Sequence, residues 1–486
     1  MIKKINLVVI FIIIILYSIL IGTPLNDNIT IPNIVIIIYS VIYIGIRKIK
    51  NKEEIKVVSS KIDLFILLLC ISSSLPLLLN KSITITGSLN AFTRYFTIFS
   101  LYTLVKLQIK DRPSDINNII NAIIISGIII FTIGIDNLTY NFLENGLSIL
   151  GVLQANNEDF RFVSNFAYAN TAAVSMVILF FLSIYQYKNK EKTKNKYVYA
   201  IIPFFALIGL VLSSSRAVWI LFALTLIIYF IFDKNKKISI YLVTGIFAII
   251  YCAIFLNLRP QEMYLLIYVL LIIFSLLIFV VLMLIDKIKF KKLSLKNIGI
   301  LVVVLFIAII ILYQYGLTKT EPLVLFESVY SESEYEQVIR NIEPNKEYNF
   351  NFNIEAISRT ETEPVFSITI IERNKYDDEI AETTEEFNNY NGKININLTT
   401  KNDTTNVIIH FEKLSKAASK MLEIKNLYIN DQEIVLKYQF LPKVLVDRIS
   451  SIDFSNKSVW ERFVFIEDGI KILKDHWIIG IGRRWI

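Results

Sequence analysis

Long apolar runs separated by short polar loops make up the first two thirds of the chain. An apolar run of about 18 residues is long enough to cross the hydrocarbon core of a bilayer as an α-helix. The pattern predicts a polytopic α-helical membrane protein with about eleven spans, at residues 5–22, 31–46, 62–79, 91–107, 116–135, 167–185, 197–212, 217–232, 238–256, 263–285 and 298–313.

The loops between these runs form two sets that alternate along the chain. Lysine-rich loops fall on one side, at residues 3–4, 47–61, 106–112, 188–196, 233–237 and 286–296. The intervening loops carry few lysines. Because lysine and arginine concentrate in cytoplasmic loops, the alternation predicts that the N-terminus lies inside and that everything after about residue 316 lies outside.

The pattern changes after this helical domain, which we assign to residues 1–316. Between residues 317 and 440, short segments alternate apolar and polar residues, and this predicts an extracytoplasmic antiparallel β-sandwich. Its predicted strands are 348–354, 365–371, 393–398, 407–411 and 422–429. In residues 441–486, helical spacing of apolar residues returns and predicts two amphipathic helices on or near the outer membrane surface, followed by a Gly-x-Gly turn.

Composition supports this class of protein. Of the 486 residues, 54% are hydrophobic and 19% charged, and the net charge is +8. The positive charge falls mainly in the short loops, so it indicates membrane topology and not nucleic-acid binding. Cys70 and Cys252 both lie in apolar runs, which gives no support to a disulfide or a metal site. No cofactor is expected.

Among the arginines on the predicted outer side, five are candidate site residues: Arg94, Arg161, Arg216, Arg448 and Arg462. Arg216 heads a long apolar run directly after three serines. Lipid offers no partner to a guanidinium, so this residue either anchors a helix at the membrane surface or lines a polar cavity. In the second case it is a fixed cation suited to an anionic head group such as a lipid-linked diphosphate. The other four leave the same alternatives open, and Arg448 and Arg462 also fit the solvated faces of amphipathic helices.

The chain has two histidines, and neither has the spacing of a metal motif or a catalytic triad. His410 lies in a predicted strand between Ile409 and Phe411, which favours a structural role. His476 follows Asp475 at a predicted helix end, where it complements the helix dipole. No catalytic residue can be assigned from the sequence.

Three segments together resemble the O-antigen ligase and polymerase family of multispanning glycan transferases. The first begins at Arg161 and leads through aromatic residues to Asn170 at the start of a span. The second is Ser215-Arg216-Ala-Val-Trp219, which is similar to the family's Ser-Arg-Gly/Ala-x-Trp signature. The third runs from Arg462 through Asp475-His476 to the glycines 480 and 482.

This resemblance implies a metal-independent, inverting transfer of a glycan from an undecaprenyl diphosphate carrier to a sugar hydroxyl. Its matched arginines, Arg216 and Arg161, hold the diphosphate, and an outer-loop arginine matching Arg448 or Arg462 assists. The implied partners are a polyprenyl-diphosphate-linked glycan, an acceptor glycan or glycolipid, and the plasma membrane of a bacterium. The β-sandwich looks like a carbohydrate-binding insertion of the jelly-roll type that holds acceptor or growing glycan.

The chain departs from the family pattern at its end. The family's presumed base is a histidine after the Gly-x-Gly turn, whereas His476 precedes that turn. We therefore expect a truncated family member with little or no transferase activity alone, and whether the chain is an enzyme stays open. Two further hypotheses remain: a transporter or flippase of glycan lipids, and a non-enzymatic envelope protein whose sandwich binds carbohydrate.

Overall fold

The computed structural model describes residues 2–20, 30–49, 52, 54–78, 85–139, 142–143, 161–166, 168–190, 193, 195–232, 238–257, 263–287, 323–326, 334–358, 364–374, 378–388, 390–414, 419–436, 446 and 457–475. The chain folds into two compact units. One is helical and is built mainly from residues up to Ile249 together with Leu271–Ile285. The other contains the β-strands.

The described residues before the β-strands contain ten α-helices: α1 Ile2–Leu20, α2 Thr30–Ile49, α3 Lys61–Leu78, α4 Ile85–Asp111, α5 Ile116–Leu138, α6 Ala169–Asn189, α7 Lys196–Leu212, α8 Arg216–Phe232, α9 Ile238–Asn257 and α10 Tyr264–Lys287. Each falls on one of the predicted spans. The eleventh, at 298–313, lies outside the described residues. The largest boundary error is in α4, which begins six residues before the predicted span.

Six of the described helices are long and apolar enough to cross a membrane, namely those at Ile2–Ile19, Ile31–Ile49, Pro113–Leu138, Ala169–Asn189, Ser239–Leu256 and Tyr264–Asp286. Two more, α7 and α8, are apolar but shorter, at 17 residues each. α4 differs because Arg94, Lys106 and Lys110 interrupt its apolar surface. The chain is therefore mostly helical, and its apolar helices fit membrane association.

Polar contacts gather the helix ends of the helical unit at two opposite poles. At one pole, Arg47 at the end of α2 pairs with Asp111 at the end of α4, at 2.9 Å. Lys3 at the start of α1 lies 3.4 Å from the same carboxylate. Lys106 near the end of α4 pairs with Asp63 at the start of α3, at 2.6 Å, so α1 to α4 run in alternate directions. We call this end the basic pole because it carries Lys3, Arg47 and Lys106.

The described residues of the second unit form nine strands: β1 Leu323–Phe326, β2 Glu334–Arg340, β3 Glu347–Ser358, β4 Phe366–Arg373, β5 Glu379–Phe387, β6 Tyr390–Thr399, β7 Asn406–Lys413, β8 Ser419–Ile429 and β9 Gln432–Ile434. The first sheet has the order β1-β8-β3-β6, with β9 beside β8, and the second has the order β2-β7-β4-β5. All neighbours are antiparallel. The strands pair in a nested order: β1 with β8, β2 with β7, β3 with β6 and β4 with β5. This order is that of a long hairpin rolled into two sheets, as in a jelly roll.

Alternation along each strand builds the sandwich core. On β3, the side chains of Tyr348, Phe350 and Phe352 are buried at every second position. On β7 of the other sheet, Phe411 meets Phe352 edge to face, with ring centroids 5.4 Å apart. Because strand side chains point alternately to opposite faces, the intervening polar residues form the outer face of each sheet.

The five predicted strands correspond to β3, β4, β6, β7 and β8. The sequence interpretation missed β1, β2, β5 and β9. β5 was missed because its Glu379–Phe387 sequence is mostly glutamate and threonine with little apolar alternation. After the strands, α11 spans Lys457–Asp475 and matches the second predicted amphipathic helix. The first lies outside the described residues except for Val446.

Candidate functional site

The turn between α7 and α8 lies at the pole opposite Lys3 and Arg47, and it is built from three buried serines. The Ser213 hydroxyl donates to the Leu210 carbonyl at 2.7 Å and accepts from the Ser215 amide at 3.3 Å. Ser214 has a left-handed backbone, with φ of 52°. The Trp219 indole donates to the Leu210 carbonyl at 2.9 Å. The last carbonyls of α7 are thus satisfied locally, and the turn delivers Arg216 as the first residue of α8.

Arg161 is joined directly to this turn. Its Nε donates to the Ser213 carbonyl at 3.1 Å, and the Phe162 amide donates to the Leu212 carbonyl at 3.0 Å. The side chains of Arg161 and Arg216 are both half-buried. Two arginines separated by 55 positions in the sequence are therefore brought to one turn.

Phe162 packs the segment that carries Arg161 against the neighbouring helices. Its side chain is fully buried, and it lies against Gly134 of α5 and Gly209 of α7. A Cβ at Gly134 would fall inside the van der Waals radius of the Phe162 ring. The two glycines leave the space in which this ring fits, so the ring fixes the backbone next to Arg161.

Asn170 links the start of α6 to the start of α8. Its Oδ1 accepts from the Ser215 hydroxyl at 2.6 Å, and its Nδ2 donates to the Tyr168 hydroxyl at 2.9 Å. Tyr168 is 54% exposed, so this chain of hydrogen bonds leads from a buried serine to the surface. The N-terminal ends of two helices consequently lie side by side.

Further side-chain bonds hold the loop 161–166 to neighbouring helix ends. Asn165 donates to the Ser18 carbonyl of α1 at 2.6 Å, and the Ser164 hydroxyl donates to the Ile130 carbonyl of α5 at 2.7 Å. Asn137 in turn donates to the Ser164 carbonyl at 3.1 Å. The site therefore rests on the ends of four helices, α1, α5, α6 and α7, and on the start of α8.

The electrostatics of this arrangement suit an anion. The first-turn amides of a helix have no intrahelical acceptor, and the helix dipole makes that end positive. Here two such ends, those of α6 and α8, lie side by side; Arg161 is bonded to the turn before α8, and Arg216 is the first residue of α8. A guanidinium also offers paired donors that match phosphate oxygens. The arrangement can bind a phosphate or diphosphate at one pole of the helical unit.

The other predicted site residues are Arg94, Arg448 and Arg462. Arg94 is half-buried in α4, nine residues after that helix begins. Arg462 falls in α11, but its side chain lies outside the described part of the structure. Arg448 and His476 also lie outside it. His410 is in β7, as predicted.

Sequence reasoning missed two residues of the site. Ser213 supplies the carbonyl that Arg161 contacts, and Tyr168 receives the Asn170 amide. Ser213 belongs to the serine run, but the sequence did not indicate its role, because the group that contacts Arg161 is its backbone carbonyl and not its side chain. Tyr168 lies two residues before Asn170, and only the turn into α6 brings their side chains together.

A second polar surface covers the outer face of the first sheet. On β3, Asn349, Asn351 and Asn353 alternate with the buried aromatic residues, and they lie opposite Asn397, Asn395 and Lys393 of β6. Asn349 donates to Asn397 across the strands at 2.6 Å. We call these six side chains the amide face.

The amide face continues onto β8. Tyr428 lies opposite Asn351, and Lys425 lies opposite Asn353. Lys425 pairs with Glu423 at 2.9 Å, and this hydrogen bond raises the pKa of the lysine above its ordinary value. The face thus offers amide donors and acceptors, an aromatic ring and an ion pair to the solvent.

No protein-family model and no curated protein sequence matches the chain. Among solved structures, part of the chain is similar to the enzymatically active domain of bacteriophage CBA120 tailspike protein 4, with 14% identity over 23% of this chain and 15% of that chain and a TM-score of 0.19. A structure titled "CBM4 structure and function" matches at 13% identity over 24% of this chain and 74% of that chain, with a TM-score of 0.18.

Proposed function

We propose that this chain is a multispanning membrane protein that binds a polyprenyl-diphosphate-linked glycan at the pole formed by Arg161, Asn170 and Arg216. One observation carries the proposal: the Arg161 Nε–Ser213 carbonyl bond and the Ser215–Asn170 bond attach Arg161 and Asn170 to the serine turn that leads directly into Arg216. Two guanidinium groups and two helix N-termini supply the positive potential that a diphosphate needs.

The reaction we propose is glycan ligation or polymerisation, as the family resemblance implies. The oxygen of an acceptor sugar hydroxyl attacks the anomeric carbon of the donor, and the bond from that carbon to the phosphate oxygen breaks with inversion. The diphosphate leaves with the bonding electrons, and Arg161 and Arg216 stabilise the charge that develops on it. The hydroxyl proton passes to a base, which we assign to no described residue.

We also propose an orientation in the plasma membrane of a bacterium. The basic pole carries Lys3, Arg47 and Lys106, which the positive-inside rule favours on the cytoplasmic side. The Arg161–Arg216 pole then faces outside, where a translocated lipid-linked glycan is present.

A second candidate function is carbohydrate binding without catalysis, and the amide face favours it. Asparagine amides both donate and accept hydrogen bonds, as sugar hydroxyls do, and an aromatic ring such as Tyr428 stacks on apolar sugar faces. In either function we propose that the amide face binds the glycan and that the Arg161–Arg216 pole binds the diphosphate.

The diphosphate assignment is tested by binding of undecaprenyl diphosphate to the full chain in nanodiscs. Arg216→Ala and Arg161→Ala should each weaken binding by about ten- to a hundredfold, since a hydrogen bond to a charged group contributes about 1.5–3 kcal/mol. Arg340→Ala, on the exposed surface of β2, is the matched control and should bind as the unmodified chain does. Equal affinity in all four proteins would remove the cation role of both arginines.

Transfer itself requires a separate measurement. Incubation with a labelled lipid-linked glycan and an acceptor glycan should yield a larger product if the chain is a transferase. Binding without product at any acceptor concentration would leave the carbohydrate-binding function as the better account.

A further inference from the structure

Four polar side chains face the solvent together on the outer surface of the second sheet. Glu334 and Glu336 of β2 lie directly opposite Glu412 and His410 of β7. All four stand at positions that alternate with buried core residues such as Phe411. We call this set the His410 block.

Three members of the block bring possible metal-ligand atoms close together. Among the described residues, one group of His, Cys, Asp and Glu side chains brings its ligand atoms together, and in Glu334, His410 and Glu412 these atoms all lie within 4.8 Å of one another. His410 Nε2 is 3.6 Å from Glu334 Oε2. Ligand atoms around a tetrahedral zinc ion lie about 3.4 Å apart, given bonds of about 2.0–2.2 Å. The group therefore closes on an ion by side-chain rotation, without movement of the strands.

The remaining member fixes the state of the imidazole. Glu336 Oε1 lies 3.3 Å from His410 Nδ1, so this carboxylate accepts the Nδ1 proton. When the imidazole carries its single proton on Nδ1, the Nε2 lone pair faces an oxygen of Glu334, which is also an acceptor. Two acceptors at 3.6 Å repel unless a proton or a cation lies between them.

The charges of the block favour the cation. Glu334 and Glu412 are directly opposite on antiparallel strands, where like charges are destabilising. A divalent ion between these two carboxylates offsets the repulsion, and it leaves the Glu336–His410 pair in the arrangement that orients metal-bound histidines in other proteins.

We propose that Glu334, His410 and Glu412 bind one divalent transition-metal ion, with Zn²⁺ the best chemical match. An imidazole nitrogen with two carboxylate oxygens suits zinc, whereas calcium and magnesium take oxygen ligands. The Ser367 hydroxyl lies 3.5 Å from Glu412 Oε2 and orients that carboxylate. Since Glu334 is 38% exposed, the ion keeps a coordination position open to solvent or to a further ligand. Glu336 is a positioning residue that acts through His410.

The test is metal binding by the full chain in detergent, titrated with Zn²⁺ against a competing chelator and with Co²⁺ by visible absorption. We expect one ion per chain and a Co²⁺ spectrum typical of a site with nitrogen and oxygen ligands. His410→Gln and Glu334→Gln should each weaken Zn²⁺ binding at least tenfold. Glu336→Gln should weaken it by about ten- to a hundredfold through loss of the imidazole orientation.

Two controls separate this site from other causes. His476→Gln removes the chain's other histidine and should leave binding unchanged. Glu382→Gln removes an exposed carboxylate from β5 of the same sheet and should do the same. Circular dichroism confirms that each variant is folded. The proposal is wrong if Zn²⁺ binds the His410→Gln variant as tightly as it binds the unmodified chain. It is also wrong if micromolar Zn²⁺ binds to neither protein, and the block is then an ion-paired histidine. None of these readouts involves diphosphate or glycan, so the result is independent of the proposed function.

Discussion

At the residue scale, the position of Arg161 depends on its neighbour more than on its own side chain. Phe162 is buried between two helices, and Gly134 and Gly209 provide the room for its ring. The guanidinium of Arg161 then reaches the Ser213 carbonyl from a backbone that the packing of Phe162 holds in place. Gly134 and Gly209 therefore serve the site through the space that they leave, whereas a Cβ added at Gly45 would meet nothing within 4 Å.

Replacing Gly134 by alanine should displace the Phe162 ring and, with it, Arg161. Overpacking of a well-packed core costs about 1–3 kcal/mol, so we expect lower thermal stability and weaker undecaprenyl diphosphate binding. Gly45→Ala in α2 is the matched control, because a Cβ there meets nothing within 4 Å. Both effects are measured on detergent-purified protein by thermal unfolding and by lipid binding. Identical behaviour of the two variants would mean that Phe162 does not hold the site.

At the element scale, the strands β3 and β6 carry residues that folding alone does not favour. Asparagine is depleted in β-strands, yet Asn351 and Asn395 lie opposite each other on the outer face. Threonine would fit the same exposed positions with a higher strand propensity. Amides that cost stability are expected where a surface binds a ligand, because binding sites trade stability for function.

Asn395→Thr should therefore stabilise the sandwich by up to about 1 kcal/mol. Asn349→Thr is the informative comparison, since it also removes the 2.6 Å hydrogen bond to Asn397 and should gain less. Calorimetric unfolding of the full chain measures both. A clear loss of stability in Asn395→Thr would show that the amide face has a structural role and would weaken its assignment to a glycan.

At the scale of the whole helical unit, the two poles differ in chemistry. The basic pole holds ion pairs between helix ends, such as Lys106 with Asp63 at 2.6 Å. The opposite pole contains the serine turn, Asn170 and the two arginines. This division follows from helices that alternate in direction. It agrees with the sequence, in which lysine-rich and lysine-poor loops alternate as in a membrane protein.

Cysteine labelling tests the proposed orientation. Asn402→Cys lies in an exposed turn of the sandwich, and Lys56→Cys lies in a loop at the basic pole, where Lys56 is 71% exposed. Both native cysteines are buried, so background labelling should be low. A membrane-impermeant maleimide should label Asn402→Cys in intact cells and Lys56→Cys only after permeabilisation. The reverse pattern would invert the topology.

The sequence alone determined the local structure wherever one period dominated. Ten of the predicted spans are helices, and five predicted strands are present, because apolar residues at a period of 3.6 or 2 leave a single face to bury. It located Arg161, Asn170 and Arg216 as candidates through motifs. It failed for β5, whose polar sequence becomes a strand only by pairing with β4.

Tertiary structure alone decided which of these residues meet. The Ser213 carbonyl reaches Arg161 because the α7–α8 turn folds against the loop 161–166. His410 meets Glu334 and Glu336 because β2 and β7 are neighbours in the second sheet. Glu336 and His410 are 74 positions apart in the sequence. Periodicity records which face a side chain occupies, but strand order and helix packing depend on the fit of distant surfaces. Sites whose side chains come from different elements therefore cannot be found in the sequence, because they form only when those surfaces pack.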